Sequence, residues 1–280
     1  MPYQYIIPGI FITFALLEML RSQFFRQPDE LPSDKFVEAF CFIALVGFTQ
    51  PAVLFLAGQA GAAFMPSAAG SLAGTSIALQ VALFLIFDDM VQYWWHRASH
   101  TFPWLYGLHR AHHNANYMSI RIVYRNNLFY YAFMPSLWLS GFLIYLGLGP
   151  VYIFYIIVKM AVIYGAHSNV RWDDKLYGVK WLAPLMWLLE RTISTPATHG
   201  AHHGRHAADP ATNYKGNFGN LLFFWDVLFG TAKITRNFPE KIGVENLAPM
   251  SAPAQLLWPL VRDDTSPTEA LTTPEPVAAE

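Results

Sequence analysis

The 280-residue chain is 54% hydrophobic and only 13% charged, whereas soluble globular domains carry about 25% charged residues, so it reads as an integral membrane protein. Its formal net charge is −1 and its basic residues are scattered singly, which leaves no basic stripe to track a phosphate backbone and excludes nucleic acid as an expected partner. The single cysteine, Cys41, lies in an apolar run; it rules out an intrachain disulfide and any cysteine-built zinc or iron–sulfur site, and reads as a buried small hydrophobe.

The first run, Tyr3 to Leu20, is apolar apart from Gln4, Glu18 and the small hydroxyl of Thr13 and is roughly long enough to cross about 30 Å of hydrocarbon. No basic segment precedes it and no small-residue cleavage site follows, so a retained span is expected rather than a signal peptide. The polar stretch Arg21 to Lys35 ends it. A second span is expected from Phe36 to about Ala60, kinked at Gln50-Pro51, and the small, uncharged residues Gly61 to Thr75 read as a loop. A third, from about Ser76 to Trp95, runs straight into a pair of histidines. Two more, about Phe129 to Leu148 and Val151 to Ala166, are joined at Gly147, Gly149 and Pro150 by a tight hairpin, which could equally sit inside the bilayer.

The expected fold is all-α: a polytopic membrane protein with about four to five transmembrane helices and a cytoplasmic helical cap. If the spans alternate, every lysine and arginine except Lys159 falls on one side of the membrane together with all ten histidines, and the positive-inside rule makes that side cytoplasmic. Lys159 sits within the last span. It is a functional candidate by default, with snorkelling or a structural ion pair as the plainer alternatives. Beyond it, the nine residues Trp181 to Leu189 are too few to cross a bilayer and are expected to form a helix lying at the interface. Gln255 to Val261 is expected to dock on the membrane surface, and Thr265 to Glu280 to be a disordered tail. The expected divisions are 1–75 for the N-terminal spans and loop, 76–235 for a catalytic domain, 236–262 for a surface segment and 263–280 for the tail.

The histidines carry the chemistry. His96 and His100 stand four apart, His109, His112 and His113 follow, His167 stands alone, and His199, His202 and His203 repeat the spacing of the earlier trio. On a helix, positions i, i+3 and i+4 share one face, so each cluster can aim its imidazoles at one point. A lone buried histidine is usually structural. So many imidazoles brought together unpaired would cost several kcal/mol. Two, three, one and three make nine rings, too many for one tetrahedral zinc but suited to two adjacent metal ions with open positions, and neutral imidazole suits iron, zinc, copper or nickel. Iron beside a lipid-filled cavity points to oxygen activation, because zinc has no redox chemistry.

These residues resemble the integral-membrane fatty acid hydroxylase and sterol desaturase superfamily, marked by three histidine boxes and an extra histidine. The likeness runs from about Ile77 to Thr231. DDMVQYWWHRASH is similar to the first box, GLHRAHHNANYMS to the second, YGAHSNVRW to the region of the lone histidine and TPATHGAHHGRH to the third, while NYKGNFGNLLFFWDVLFGT resembles the closing segment. The resemblance implies a di-iron centre of two iron ions (Fe2+/Fe3+), oxygen-dependent hydroxylation or desaturation of a sterol, fatty acyl or alkylglycerol type of lipid, and ligand roles for His96, His100, His109, His112, His113, His167, His199, His202 and His203. The role of His206 stays open. Some members carry two histidines four apart where this chain has only His167, so a water, Asn169 or His206 could complete one iron's ligand set.

Asp89, Tyr93 and Asn169 are candidates for the groups behind the ligands. Asp89, Tyr93, His96 and His100 share a helix stripe, and a carboxylate accepting the free N–H of a ligating imidazole fixes its tautomer. Asp89 is too far along the helix to serve His96, so its expected partner is a histidine from a neighbouring element; a cap or interhelical ion pair for Asp88 or Asp89 is the alternative. Asp226 is expected to anchor the cap, and Trp94 and Trp95 to be interfacial anchors. With no iron–sulfur cysteines and no spare histidine pair for a haem, electrons are expected from a separate protein, cytochrome b5-like or a ferredoxin with its reductase. A histidine-rich metal-binding or metal-transporting membrane protein is the rival reading, although transporters hold their ions near the bilayer midplane, not at helix ends.

Overall fold

The computed structural model describes residues 5–21, 23–245 and 250–263. Among these residues every regular element is helical, and the only β-type pairing is an isolated bridge between Gly204 and Ile242. The helices are α1 (Ile6–Leu20), α2 (Asp34–Phe64), α3 (Ile77–Ser99), α4 (Pro103–His113), α5 (Leu128–Phe133), α6 (Pro135–Leu143), α7 (Gly149–His167), α8 (Trp172–Tyr177), α9 (Ala183–Thr192), α10 (Pro196–His202), α11 (Phe224–Phe229) and α12 (Ala252–Leu257). The expected tail, Thr265 to Glu280, lies outside the described residues.

Among the described residues three helical runs are long and apolar enough to cross a membrane, namely α2, α3 and the joined run of α6 and α7, Pro135–His167; α1 is a shorter apolar helix. Their outward faces are apolar: Phe48, Phe55 and Phe154 are 70%, 64% and 68% exposed. Water would not tolerate so continuous an apolar surface on a monomer, and hydrocarbon does. The chain is accordingly a multi-pass membrane protein.

The spans depart from uniform helices where the sequence gives a reason. The expected kink at Gln50-Pro51 takes the form of a π-helical turn, Leu45–Thr49, which ends just before the proline that lacks an N–H, and α2 continues past it. The expected span from Phe129 to Leu148 is split between α5 and α6, because Pro135 holds Met134 in an extended conformation (φ −67°, ψ 112°). At the expected hairpin, Gly147 takes φ 102° and ψ 8°, a conformation open to glycine at no steric cost. There the chain turns back, so that Met134 and Leu137 at one end and Ile163 and His167 at the other line the same cavity.

Buried acids hold the connecting segments against the spans. Glu18, at the end of α1, accepts hydrogen bonds from the Ser119 hydroxyl (2.6 Å), the Ile120 amide (3.1 Å) and the Ser168 hydroxyl (3.0 Å). It thereby ties the stretch after α4 to the residue that follows His167. Asp34 and Glu38 of α2 pair with Arg125 and Arg121 at 2.8 and 2.6 Å. Breaking a buried pair by removing one partner costs about 3–5 kcal/mol, so residues 117–127 are firmly placed.

Two further expectations concern the surface. Trp181 to Leu189 forms a short 3-10 turn, Lys180–Leu182, leading into α9, with Trp181, Leu185, Trp187 and Leu188 all exposed. The segment expected to dock on the membrane surface, Gln255 to Val261, instead packs largely against protein. Gln255, Leu256 and Trp258 are buried, because Gln255 receives a hydrogen bond from Arg125 (2.7 Å) and Trp258 joins the cluster of Leu108, Tyr130 and Leu137.

Candidate metal centre

The nine histidines come from four places in the fold. His96 lies in the last turn of α3 and His100 caps that helix; His109, His112 and His113 end α4; His167 ends α7; His199 and His202 lie in α10, and His203 caps it. The short α10 is fixed at its start: Thr195 and Thr198 form a reciprocal capping box, Pro196 begins the first turn, and Asp173 of α8 accepts the Ala197 amide at 2.8 Å.

These elements bring the rings into two groups. His96, His100, His109, His113 and His202 form one, and His112, His167, His199 and His203 the other, with the candidate ligand nitrogens of each group all within 4.8 Å of one another. The adjacent pairs His112/His113 and His202/His203 are each divided between the groups, because neighbouring residues on a helix point about 100° apart. Eight of the nine rings are at most 4% exposed, and His100 is half-buried.

Five of the nine outer nitrogens are held by acceptors, whereas those of His199 and His203 are buried without a partner. Nδ1 of His96 donates to the Phe218 carbonyl (2.7 Å), that of His109 to Asn126 Oδ1 (2.8 Å), that of His112 to the Ile122 carbonyl (3.1 Å), that of His167 to the Ile163 carbonyl (2.8 Å) and that of His202 to the Gly216 carbonyl (2.8 Å). With the proton on Nδ1, each Nε2 is a bare lone pair; the tautomers are assigned from this network.

The Nε2 atoms of these five rings and of the other four face one another. His113 Nε2 lies 3.1 Å from that of His100 and 3.2 Å from those of His109 and His202. In the other group, His199 Nε2 lies 2.9 Å from that of His167 and 3.2 Å from that of His203, and His96 Nε2 is buried without any partner. Converging acceptors repel unless a cation sits among them, so the donor set fits metal ions. Burial, reinforced by the neighbouring imidazoles, also pushes the pKa of His100, His113, His199 and His203 well below the usual histidine value. The rings are neutral, as ligands must be.

The other expected site residues lie around this centre. Asp89 meets no histidine: it accepts the amides of Leu221 (3.3 Å) and Leu222 (3.1 Å) and the Trp225 indole (2.8 Å), because its side chain leaves α3 two turns before His96, where the closing segment crosses. Tyr93 bonds Thr231 Oγ1 at 2.9 Å and accepts from Arg97 at 3.2 Å. Asp226 anchors the same segment, accepting the amides of Phe218 (2.8 Å) and Gly219 (2.7 Å) and the Thr231 hydroxyl (2.6 Å). His206 lies outside both groups and faces Glu245 at 3.0 Å. Asn169 bonds Glu18 through its backbone at 3.4 Å, while its side-chain amide is buried without a partner. Lys159 forms a buried ion pair with Asp88.

Asn126 and the carbonyls of Ile122, Phe218 and Gly216, which orient four of the ligands, were not legible in the sequence. Main-chain acceptors carry no side-chain signature. Beside the two groups lies a cavity of about 120 Å³, reached by His96, His109, His112 and His167 and walled by Leu45, Met134, Leu137, Ile156, Met160 and Ile163.

The alkylglycerol monooxygenase of Danio rerio is 28% identical to this chain over 151 residues, covering 51% of the chain and 28% of the relative. Those of Xenopus tropicalis and Homo sapiens are 27% and 26% identical over 147 and 151 residues, with the same shares. The chain thus covers less than a third of the length of these curated relatives. No solved structure matches it. The fatty acid hydroxylase family model matches residues 81–231, a stretch that opens in α3, takes in every histidine of both groups and closes at the threonine bonded to Tyr93 and Asp226; by that match and by the two nitrogen clusters within it, the chain belongs to the fatty acid hydroxylase family.

Proposed function

We propose that this protein is a membrane-bound oxidoreductase that hydroxylates or desaturates a lipid at a di-iron centre, using O2 and electrons from a separate donor protein. The observation that carries the reading is the convergence of nine neutral imidazoles into two adjacent nitrogen groups at the mouth of an apolar cavity. Its ligands would be His96, His100, His109, His113 and His202 for one ion and His112, His167, His199 and His203 for the other. Two iron ions held there would supply the activation of O2 needed to attack an unactivated C–H bond.

The chain's own residues bind, orient and exclude. Phe218, Asn126, Ile122, Ile163 and Gly216 fix ring orientation and tautomer through Nδ1, which keeps each Nε2 aimed inward and raises its basicity. The apolar wall of Met134, Leu137 and Ile163 holds an alkyl or ring skeleton with one carbon toward the histidines and leaves competing carbons out of reach. The sterol, fatty acyl and alkylglycerol classes all suit such a wall, and the similarity to alkylglycerol monooxygenases supports an alkylglycerol among them. Residues 76–235 form the catalytic domain in this reading. The distribution of lysine and arginine supports a cytoplasmic position for the histidines, where a cytochrome b5-like or ferredoxin-type donor can reach them.

The test compares cells expressing the chain with cells expressing His112→Ala, by mass spectrometry of lipids under labelled O2, alongside the metal content of the purified proteins. A lipid that gains labelled oxygen or a double bond only with the unaltered chain, with iron bound, is the expected result. Bound metal without any altered lipid or oxygen uptake would favour a metal-binding membrane protein instead.

A further inference from the structure

The cavity beside the histidines is apolar along much of its wall but not at its far end. Along α3, Asp88, Gln92 and His96 follow at four-residue steps and all line the cavity; along α7, Lys159, Ile163 and His167 do the same. At 1.5 Å per residue, Asp88 and Lys159 each lie about 12 Å along their helices from the histidine. Both Lys159 Nζ and the Tyr155 hydroxyl (2.6 Å) donate to the same oxygen, Oδ2 of Asp88. Among the described residues Oδ1 receives no hydrogen bond, and Gln92 Oε1 is buried without a partner.

Resting on the reading of the protein as a lipid oxidase, we propose that Asp88, Lys159 and Gln92 bind a neutral hydroxyl group on the substrate, about 12 Å from the carbon presented to the histidines. A charged pair inside a membrane span is rare because its desolvation is costly. Joining α3 to α7 does not require it, since Phe84 and Tyr155 already stack between these helices with centroids 5.1 Å apart. A hydroxyl can donate to Asp88 Oδ1 and accept from Lys159, so it satisfies the free acceptor without adding charge. A carboxylate would set a second negative charge beside Asp88, and a methyl end would leave the buried Gln92 Oε1 unpaired. The substrate class is therefore an alkyl or ring lipid whose leading end carries an alcohol.

The test is direct binding to the full chain in lipid nanodiscs, loaded with zinc so that no oxidation occurs, using hexadecan-1-ol, hexadecane and palmitate as probes. Hexadecan-1-ol should bind about tenfold more tightly than either of the others, the worth of one hydrogen bond to a charged group. The combined change Asp88→Asn with Lys159→Met should abolish that preference. Equal binding of alcohol and alkane, or a preference that survives the double change, would overturn the proposal. Photolabelling of the unaltered chain covers a variant that fails to fold: a hexadecanol with a diazirine beside the hydroxyl should label residues 85–92 or 152–160. Labelling confined to the histidine end would sink the idea. None of these readouts depends on turnover, so the hydroxyl site can fail while the oxidase reading stands, and the reverse.

Discussion

The ring of His113 stacks on that of His203, with centroids 4.4 Å apart and planes 21° from parallel, although their ligand nitrogens belong to different groups. Neighbouring rings from α4 and from the end of α10 thus separate the two nitrogen groups while holding them side by side.

That division predicts unequal losses of metal. The protein should bind about two metal ions per chain, one in each group. His112→Ala reduces the second group from four imidazoles to three and should lower the content to about one ion. His100→Ala leaves four imidazoles in the first group and should largely preserve stoichiometry. Elemental analysis of purified proteins decides; equal losses in both variants would contradict the two-group arrangement.

Asp226 acts on the centre through Phe218. Its carboxylate accepts the Phe218 amide, and the Phe218 carbonyl receives the His96 Nδ1 proton. Asp226→Ala strands buried donors, at about 1–3 kcal/mol each, and releases the segment that orients His96. Thermal unfolding should show the instability, and competition with a chelator should show metal affinity lowered about 10- to 100-fold. Unchanged affinity would make Asp226 a purely structural anchor.

Gly216 offers a test that adds only one methyl group. A Cβ there would overlap the Thr231 carbonyl oxygen and the Asn213 amide, and a backbone oxygen cannot rotate away. Gly216→Ala should shift the carbonyl that holds His202 Nδ1 at 2.8 Å and cost about 1–3 kcal/mol. Loss of metal from the first group together with a lower unfolding midpoint is the expected pair of results.

The neutral rings make stability depend on pH. Burial holds His109, His112, His199 and His202 well below the ordinary value of 6.5. An unfolded chain therefore binds more protons than the folded one once the pH drops below that value, and stability falls as pH falls. The contribution is fully present above the unfolded value and is lost progressively toward the folded ones. Unfolding midpoints of the metal-free protein in detergent should decline from pH 8 to pH 5; a flat profile would contradict neutral burial.

Composition, the apolar runs and the histidine spacing sufficed to identify a helical membrane protein, its family and the nine rings that converge. Those features follow from local rules: hydrocarbon thickness sets run length, and helical periodicity puts residues three and four apart on one face. Sequence could not assign His112 and His113 to different groups, nor separate His206 from the centre, because each depends on where a distant helix lies. It placed a histidine opposite Asp89, where the fold puts the backbone of Leu221 and Leu222; a carboxylate's partner is chosen by whichever donors tertiary packing brings within reach. The hydrogen-bond partners of the ligands were least legible of all. Most are main-chain carbonyls, identical in every residue, and only the folded chain decides which of them stands behind an imidazole.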